Sequence, residues 1–133
     1  MSTYVDTSAF MSLANSEDDR HESAVRTWNQ LVDGREMIIT SNYVVLETIA
    51  LLHSRYGTPA VRRFTEDVLS VIMIEWVDVQ IHTGALSAVL ASSGKQSPSL
   101  VDCVSFEIID RSRIDSVFVY DRHFQDRGFS LVG

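Results

Sequence analysis

Tyr4-Val5-Asp6-Thr7-Ser8-Ala9 opens the chain with a short apolar run, an acid, and then residues suited to starting a helix. Val117-Phe118-Val119-Tyr120-Asp121 repeats the pattern near the other end: an apolar β-type run that stops on an acid. Further candidate strands are Met37–Thr40, Ile72–Val79 and Phe129–Val132, beside Tyr4–Asp6 and Ser116–Tyr120. Between them lie stretches long enough for crossover helices. This alternation predicts a parallel sheet with helices on both faces.

The helix signals agree. Ser16 or Asp19 suits the cap of a helix carrying Ala24, Val25, Trp28, Leu31 and Val32, which Gly34 stops. Ser41 or Asn42 caps the next, through about Arg55, with Gly57 following. Thr58-Pro59 reads as a cap and first helical residue for a third helix, Ala60 to about Leu69. A fourth covers Ile81–Ser92; the loop Ser93–Pro98 breaks it, and Ser99 caps a fifth through about Arg111.

With 133 residues and no linker, repeat or low-complexity tract, residues 1–133 read as one domain. Hydrophobic content of 45% is ordinary for a soluble globular protein. The net charge of −7 does not predict global attraction to nucleic acid. Lys95 is the only lysine among 11 basic residues, and arginine forks suit phosphate, although codon bias gives the same composition. The single cysteine, Cys103, excludes an intrachain disulfide and sits in an apolar setting that suits a core residue. Neither a secretory signal nor a membrane-length apolar stretch is read, so a cytoplasmic protein is expected.

Four acids stand out by their neighbours. Asp6 and Asp121 end apolar runs, Glu47 lies within Tyr43–Leu51, and Asp102 lies within Leu100–Val104. Carboxylates are rarely buried unless paired or bound to metal, so four from distant segments suggest one shared cation site. Strand ends on the carboxyl side of an open α/β sheet are where ligands bind. Helical spacing puts Glu47 on the stripe of Tyr43, Ala50 and Leu51, and Asp102 on that of Ser99, Ser105, Phe106 and Ile109. Both then point partly towards the body of the protein. Local roles compete with this reading: Asp6 could cap a helix from Thr7 or Ser8, Asp102 could interact with its own helix start, and Asp121 could cap a turn over Arg122–Gln125. Glu47 has no such local role.

At these residues the chain resembles the PIN-domain ribonucleases and, in length and layout, the VapC-like toxins of bacterial toxin–antitoxin pairs. The matching motifs are Tyr4–Ala9, Ser41–Thr48, Leu100–Ser105 and Val119–Phe124, in this order and spacing. The resemblance covers essentially the whole chain. It implies a three-layer α/β/α sandwich with a central, mostly parallel sheet of about five strands. It also implies an endoribonuclease that depends on Mg²⁺ or Mn²⁺, with Asp6, Glu47, Asp102 and Asp121 matching the acidic quartet. RNA such as tRNA or rRNA is the implied substrate, held in a local Arg-lined groove. A cognate antitoxin would lay a hydrophobic helix between the helix ending near Arg55 and the one that follows, and insert an Arg near the carboxylates. Homodimerisation through an apolar helical face is expected by the same analogy. One departure is Val119, where members often carry Thr or Ser; Ser8 is the residue best suited to take over positioning of metal, water or substrate.

Phosphodiester hydrolysis needs an activated water and stabilisation of negative charge, both of which a divalent ion supplies. Mg²⁺ prefers hard oxygen ligands, so carboxylates fit and His or Cys is not required. Asp6 and Asp102 are expected to hold the principal ion, with Glu47 orienting a water or acting as base. Asp121 would complete the cluster or support a second ion. Without metal, a carboxylate pair at ~4 Å repels by roughly 4 kcal/mol at an effective dielectric of 20, so some are expected to take up protons.

Other signals carry less. Gly94-Lys95 lacks the spacing of a P-loop, and the histidines and cysteine lack zinc spacing. His21 and His123 are placed near the mouth of the site, with a solvated or packing role favoured for both. Glu17-Asp18-Asp19 reads as a solvated helix entrance, and Trp28 and Trp76 as mainly core, with Trp28 also suited to an interface. Arg122 suits either an RNA or acidic-partner contact or a plain surface position. A non-catalytic PIN-like module binding RNA or protein is the main alternative function. A phosphoacceptor receiver domain is disfavoured, because Thr7 rather than an acid follows Asp6 and Lys95 is not at a strand end.

Overall fold

In the computed structural model, which describes residues 1–133, the opening apolar run forms β1 (Ser2–Val5). Thr3, Tyr4 and Val5 are all fully buried, as befits a parallel strand covered on both faces. β2 (Met37–Ser41), β3 (Met73–Glu75), β4 (Ser116–Phe118) and β5 (Leu131–Val132) complete the sheet. Its order is β3-β2-β1-β4-β5 and every neighbouring pair is parallel. β1 is therefore central. The chain builds outward through β2 and β3, then crosses back to add β4 and β5, so the order reverses between β1 and β4.

The helices are α1 (Thr7–Ala14), α2 (His21–Asp33), α3 (Asn42–Tyr56), α4 (Thr58–Arg63), α5 (Val79–Ala91), α6 (Leu100–Ser112) and α7 (Arg122–Asp126). With this strand order, the right-handed rule for parallel crossovers assigns α1–α4 to one face and α5–α7 to the other. Within these groups α1 meets α2 and α3, α3 meets α4, and α5 and α7 meet α6; α3 also meets α6 across the two groups. The result is the expected three-layer α/β/α architecture, with a wholly parallel sheet.

Several elements differ in extent from their sequence signals. The run Ile72–Val79 narrows to the edge strand β3, because Val77 donates to the Asn42 side chain at 2.7 Å and Asp78 turns to cap α5. The run ending at Tyr120 leaves the sheet at Phe118, since the Tyr120 amide donates to the Ser8 hydroxyl instead of a strand. Neither Ser16 nor Asp19 caps α2; Arg20 occupies that position without a side-chain bond, and the Asn15 and Asp18 side chains accept from Glu17 and Arg20 in the preceding turn. Ser41, not Asn42, caps α3. Gly57, at φ 81°, ends α3 and caps α4, so Thr58 is the first residue inside the helix. The segment expected to run as one helix to Leu69 ends as α-helix at Arg63 and continues as a π-helical turn (Phe64–Val68) and a 3₁₀ turn (Leu69–Val71). Trp76 is 70% exposed rather than core. No helix is long and apolar enough to cross a membrane.

Candidate active site

Asp6, Glu47, Asp102 and Asp121 come from four segments and line one cleft of about 540 Å³ at the carboxyl edge of the sheet. Asp6 follows β1 directly. Its amide donates to the Phe118 carbonyl at 3.1 Å, extending the β1–β4 ladder by one step at the point where strand order reverses. Its carboxylate caps α1, accepting from the Ser8 amide at 3.2 Å and the Ser8 hydroxyl at 2.9 Å. Asp102 sits in the first turn of α6 and closes a capping box: its amide donates to Ser99 Oγ at 3.1 Å, and its Oδ2 accepts from the Ser99 amide at 3.3 Å. Asp121 caps α7 by accepting from the His123 amide at 2.8 Å. The local capping roles and the shared cleft thus coincide in the same three residues. Capping turns each carboxylate back over a helix start, and these starts face the carboxyl edge of a parallel sheet.

Glu47 differs from the sequence expectation. The buried stripe of α3 is Val44, Thr48 and Leu52, whereas Glu47 is half-buried and shares its face with half-buried Tyr43 and Leu51 and exposed Ala50. That face looks across the cleft, which Leu51 also lines, rather than into the core. Asp6 and Asp102 are the buried members, at 3% and 8% exposure.

Burial sets the electrostatics. Desolvation, reinforced by the Asp102 charge, pushes the Asp6 carboxyl up to about 7 against the Ser8 hydrogen bonds that hold it down. Desolvation also raises Asp102, with the Asp121 charge adding to it and the His123 hydrogen bond opposing it. Asp6 and Glu47 have no cationic partner among the ion pairs. A set of hard oxygen donors, two of them buried and one of these, Asp6, without a cationic partner, fits a divalent cation. The Thr7 hydroxyl, on the same cleft, is buried without a hydrogen-bond partner.

Ser8 lines the cleft but spends its hydroxyl on Asp6 and on the Tyr120 amide. Val119 is buried in the core. Arg122 is exposed, donates to the Gln96 side chain, and does not line the cleft.

Other residues in the cleft were given lesser roles by the sequence, or none. His123, read as solvated or packing, has Nδ1 3.2 Å from Asp102 Oδ2 and 3.3 Å from Asp121 Oδ1. Its hydrogen bond to the Gln96 carbonyl and the two carboxylates raise its pKa. Asp18, read as part of a solvated entrance, lines the cleft with Arg20, and the Arg20 guanidinium lies 5.2 Å over the Tyr120 ring. Arg55 lines it from α3. Arg55 follows Glu47 and Leu51 at four-residue steps, a signal available in the sequence; Arg20 is in a turn, where no periodicity marks it.

A second concavity, of about 480 Å³, lies between α1, α3, α4 and the π-helical turn, with Glu17, Arg63 and Asp67 among its polar lining. Phe10, Leu13, Leu52, Tyr56, Ala60 and Phe64 contribute its apolar lining.

Residues 3–130 match the model of the PIN domain. The 23S rRNA-specific endonuclease VapC20 of Mycobacterium tuberculosis is 31% identical over 130 residues, covering 97% of this chain and 96% of that protein. The crystal structure of VapC20, described as a sarcin–ricin loop cleaving toxin, superposes with a TM-score of 0.83 at 30% identity, over 96% of each chain. VapBC2 of Rickettsia felis, bound to a promoter DNA fragment, matches with a TM-score of 0.69 at 14% identity, covering 98% of this chain and 97% of that one. FitAcB of Neisseria gonorrhoeae matches at 0.67 and 13%, over 98% and 96%. These last two likenesses concern the fold.

Proposed function

The chain belongs to the PIN-domain family, and from that premise we propose that it is a metal-dependent endoribonuclease, the toxin of a toxin–antitoxin pair. The observation that carries this reading is the convergence of Asp6, Glu47, Asp102 and Asp121 on one cleft at the reversal of strand order. Likeness to a 23S rRNA-specific endonuclease over nearly the whole chain makes 23S rRNA the first substrate to test.

Asp6, Asp102, Asp121 and Glu47 would hold a divalent ion, Mg²⁺ or Mn²⁺. Such an ion supplies Lewis acidity, activating water and offsetting charge that grows on the phosphate. Ser8 orients the Asp6 carboxylate. Glu47, without a cationic partner, is the group to accept the proton of the attacking water. Arg20 and Arg55 give this acidic cleft local positive charge for RNA phosphates, in a chain of net charge −7. Arg122, adjacent to Asp121 but outside the cleft lining, would add a peripheral contact to RNA or an acidic partner.

The groove between α3 and α4 supports an antitoxin partner. Its apolar lining suits the hydrophobic face of a helix, and an Arg reaching the carboxylates would be a charge-assisted complement. Exposed Leu46, Trp76, Val79, Leu86 and Leu90 supply apolar surface for a homodimer, on elements tied by the Tyr43–His82 hydrogen bond.

The test is incubation of partner-free protein with total RNA in Mg²⁺, Mn²⁺ or EDTA, alongside Asp6→Asn. Discrete fragments that need metal and Asp6 are expected. A folded, metal-binding protein that leaves all RNA intact would favour a non-catalytic binding module.

A further inference from the structure

One nitrogen in the cleft is arranged as if to meet a cation. His123 Nε2 lies 2.8 Å from the Gln96 carbonyl oxygen. A carbonyl can only accept, so Nε2 carries the ring hydrogen. With Nε2 committed to Gln96, Nδ1 faces Asp102 Oδ2 at 3.2 Å and Asp121 Oδ1 at 3.3 Å: a proton on Nδ1 bridges it to them, and without that proton its lone pair is turned to the same two oxygens. The three atoms need positive charge among them; the Nδ1 proton supplies it in the metal-free cleft, and a bound ion takes its place by displacing that proton.

The spacing suits a shared ion. Neighbouring donors around an octahedral ion at about 2.1 Å stand ~3.0 Å apart. The three donor atoms here all lie within 4.8 Å of one another, and His123 Nδ1 lies close to both oxygens. Metal-ligating histidines are ordinarily held by a hydrogen bond from the other ring nitrogen to a carbonyl or carboxylate, which is the role Gln96 fills. The backbone supplies the remaining constraint: Asp121 accepts from the His123 amide at 2.8 Å, so both side chains are tied to one turn.

We propose that His123 is a nitrogen ligand of the cleft's divalent ion, together with Asp102 and Asp121. An imidazole ligand favours a transition ion over Mg²⁺, which prefers oxygen. The site therefore selects Mn²⁺ over Mg²⁺ more strongly than carboxylates alone would. This rests on the metal site proposed above, but not on RNA cleavage.

The test uses the metal-free full chain and Mn²⁺ or Mg²⁺ alone. Pulsed EPR of the Mn²⁺-loaded protein is expected to show nitrogen coupling from a directly bound imidazole, lost in His123→Gln. Calorimetric titration is expected to show Mn²⁺ affinity falling at least about 10-fold in that variant, with Mg²⁺ affinity changing by less than about 3-fold. Absence of nitrogen coupling in the wild-type protein would overturn the assignment without any variant, so misfolding of His123→Gln cannot hide the answer. Equal losses for both ions would overturn the selectivity. Nitrogen-coupled Mn²⁺ in a protein that cuts no RNA would uphold the ligand and sink the nuclease reading; metal-dependent cleavage without nitrogen coupling would do the reverse.

Discussion

The Ser8 hydroxyl donates to Asp6 Oδ2 at 2.9 Å while accepting from the Tyr120 amide, also at 2.9 Å. One side chain thus holds the central carboxylate and closes the chain end of β4 over it. Ser8→Ala removes both bonds, at an expected cost of about 1–3 kcal/mol in urea denaturation. Losing the donor also frees the Asp6 pKa to rise further, so metal affinity near neutral pH should fall. Ser8→Thr keeps the hydroxyl and should retain most of both properties. Equal damage by the two substitutions would show that volume, not the hydroxyl, matters at this position.

Asp6→Asn should abolish cleavage yet strengthen the metal-free fold at high pH. In the native state this carboxyl titrates at about 7, against an ordinary value of 3.8. Its folded pKa is raised, so the stability it contributes is complete below about pH 4 and is lost as pH rises through about 7. Asn carries no such titration. In EDTA at pH 8 the variant should be more stable by up to about 4 kcal/mol, with the gap closing towards pH 4. Parallel stability–pH curves for the two proteins would contradict the burial argument.

Tyr4 Oη and Ser105 Oγ are 2.8 Å apart, join β1 to α6, and belong to fully buried residues. Tyr4→Phe strands the serine hydroxyl and should cost about 1–3 kcal/mol. Pairing it with Ser105→Ala removes both polar groups, so the double variant should lose less than the sum of the single ones. Metal affinity should stay unchanged, which separates this internal bond from the cleft. Strict additivity in chemical denaturation would argue that the two hydroxyls are not coupled.

Leu13 is half-buried on the apolar groove of α1, α3 and α4. Leu13→Glu brings a charge to that lining and should weaken inhibition by the cognate antitoxin at least about 30-fold, the effect of one interface hot spot. RNA cleavage by the free protein should persist, since Leu13 does not line the acidic cleft. Titrating antitoxin into a cleavage assay measures both. Unimpaired inhibition would move the antitoxin to another surface.

Much of the fold was legible because its signals are local. A short apolar run followed by an acid and a hydroxyl marks β1 and the start of α1 within a few residues. Ser99 and Asp102 announce the capping box of α6 at a spacing of three. Where expectation and structure part, a distant group has won a local one. Val77 bonds the Asn42 side chain and so shortens β3, and Tyr120 bonds Ser8 and so shortens β4.

The four acids were visible in the sequence for the company they keep, and the alternation of strand and helix determined a parallel α/β fold. Which of those acids would be buried was a tertiary matter. Asp6 and Asp102 are nearly inaccessible, whereas Glu47 lies beside, not in, the buried stripe of α3. Likewise nothing in the spacing of His123 or Arg20 reveals the Gln96 carbonyl or the Tyr120 ring beside them. Capping and periodicity act over a few residues and are written in order along the chain. Desolvation, strand order and the meeting of groups far apart in sequence exist only once the sheet has closed.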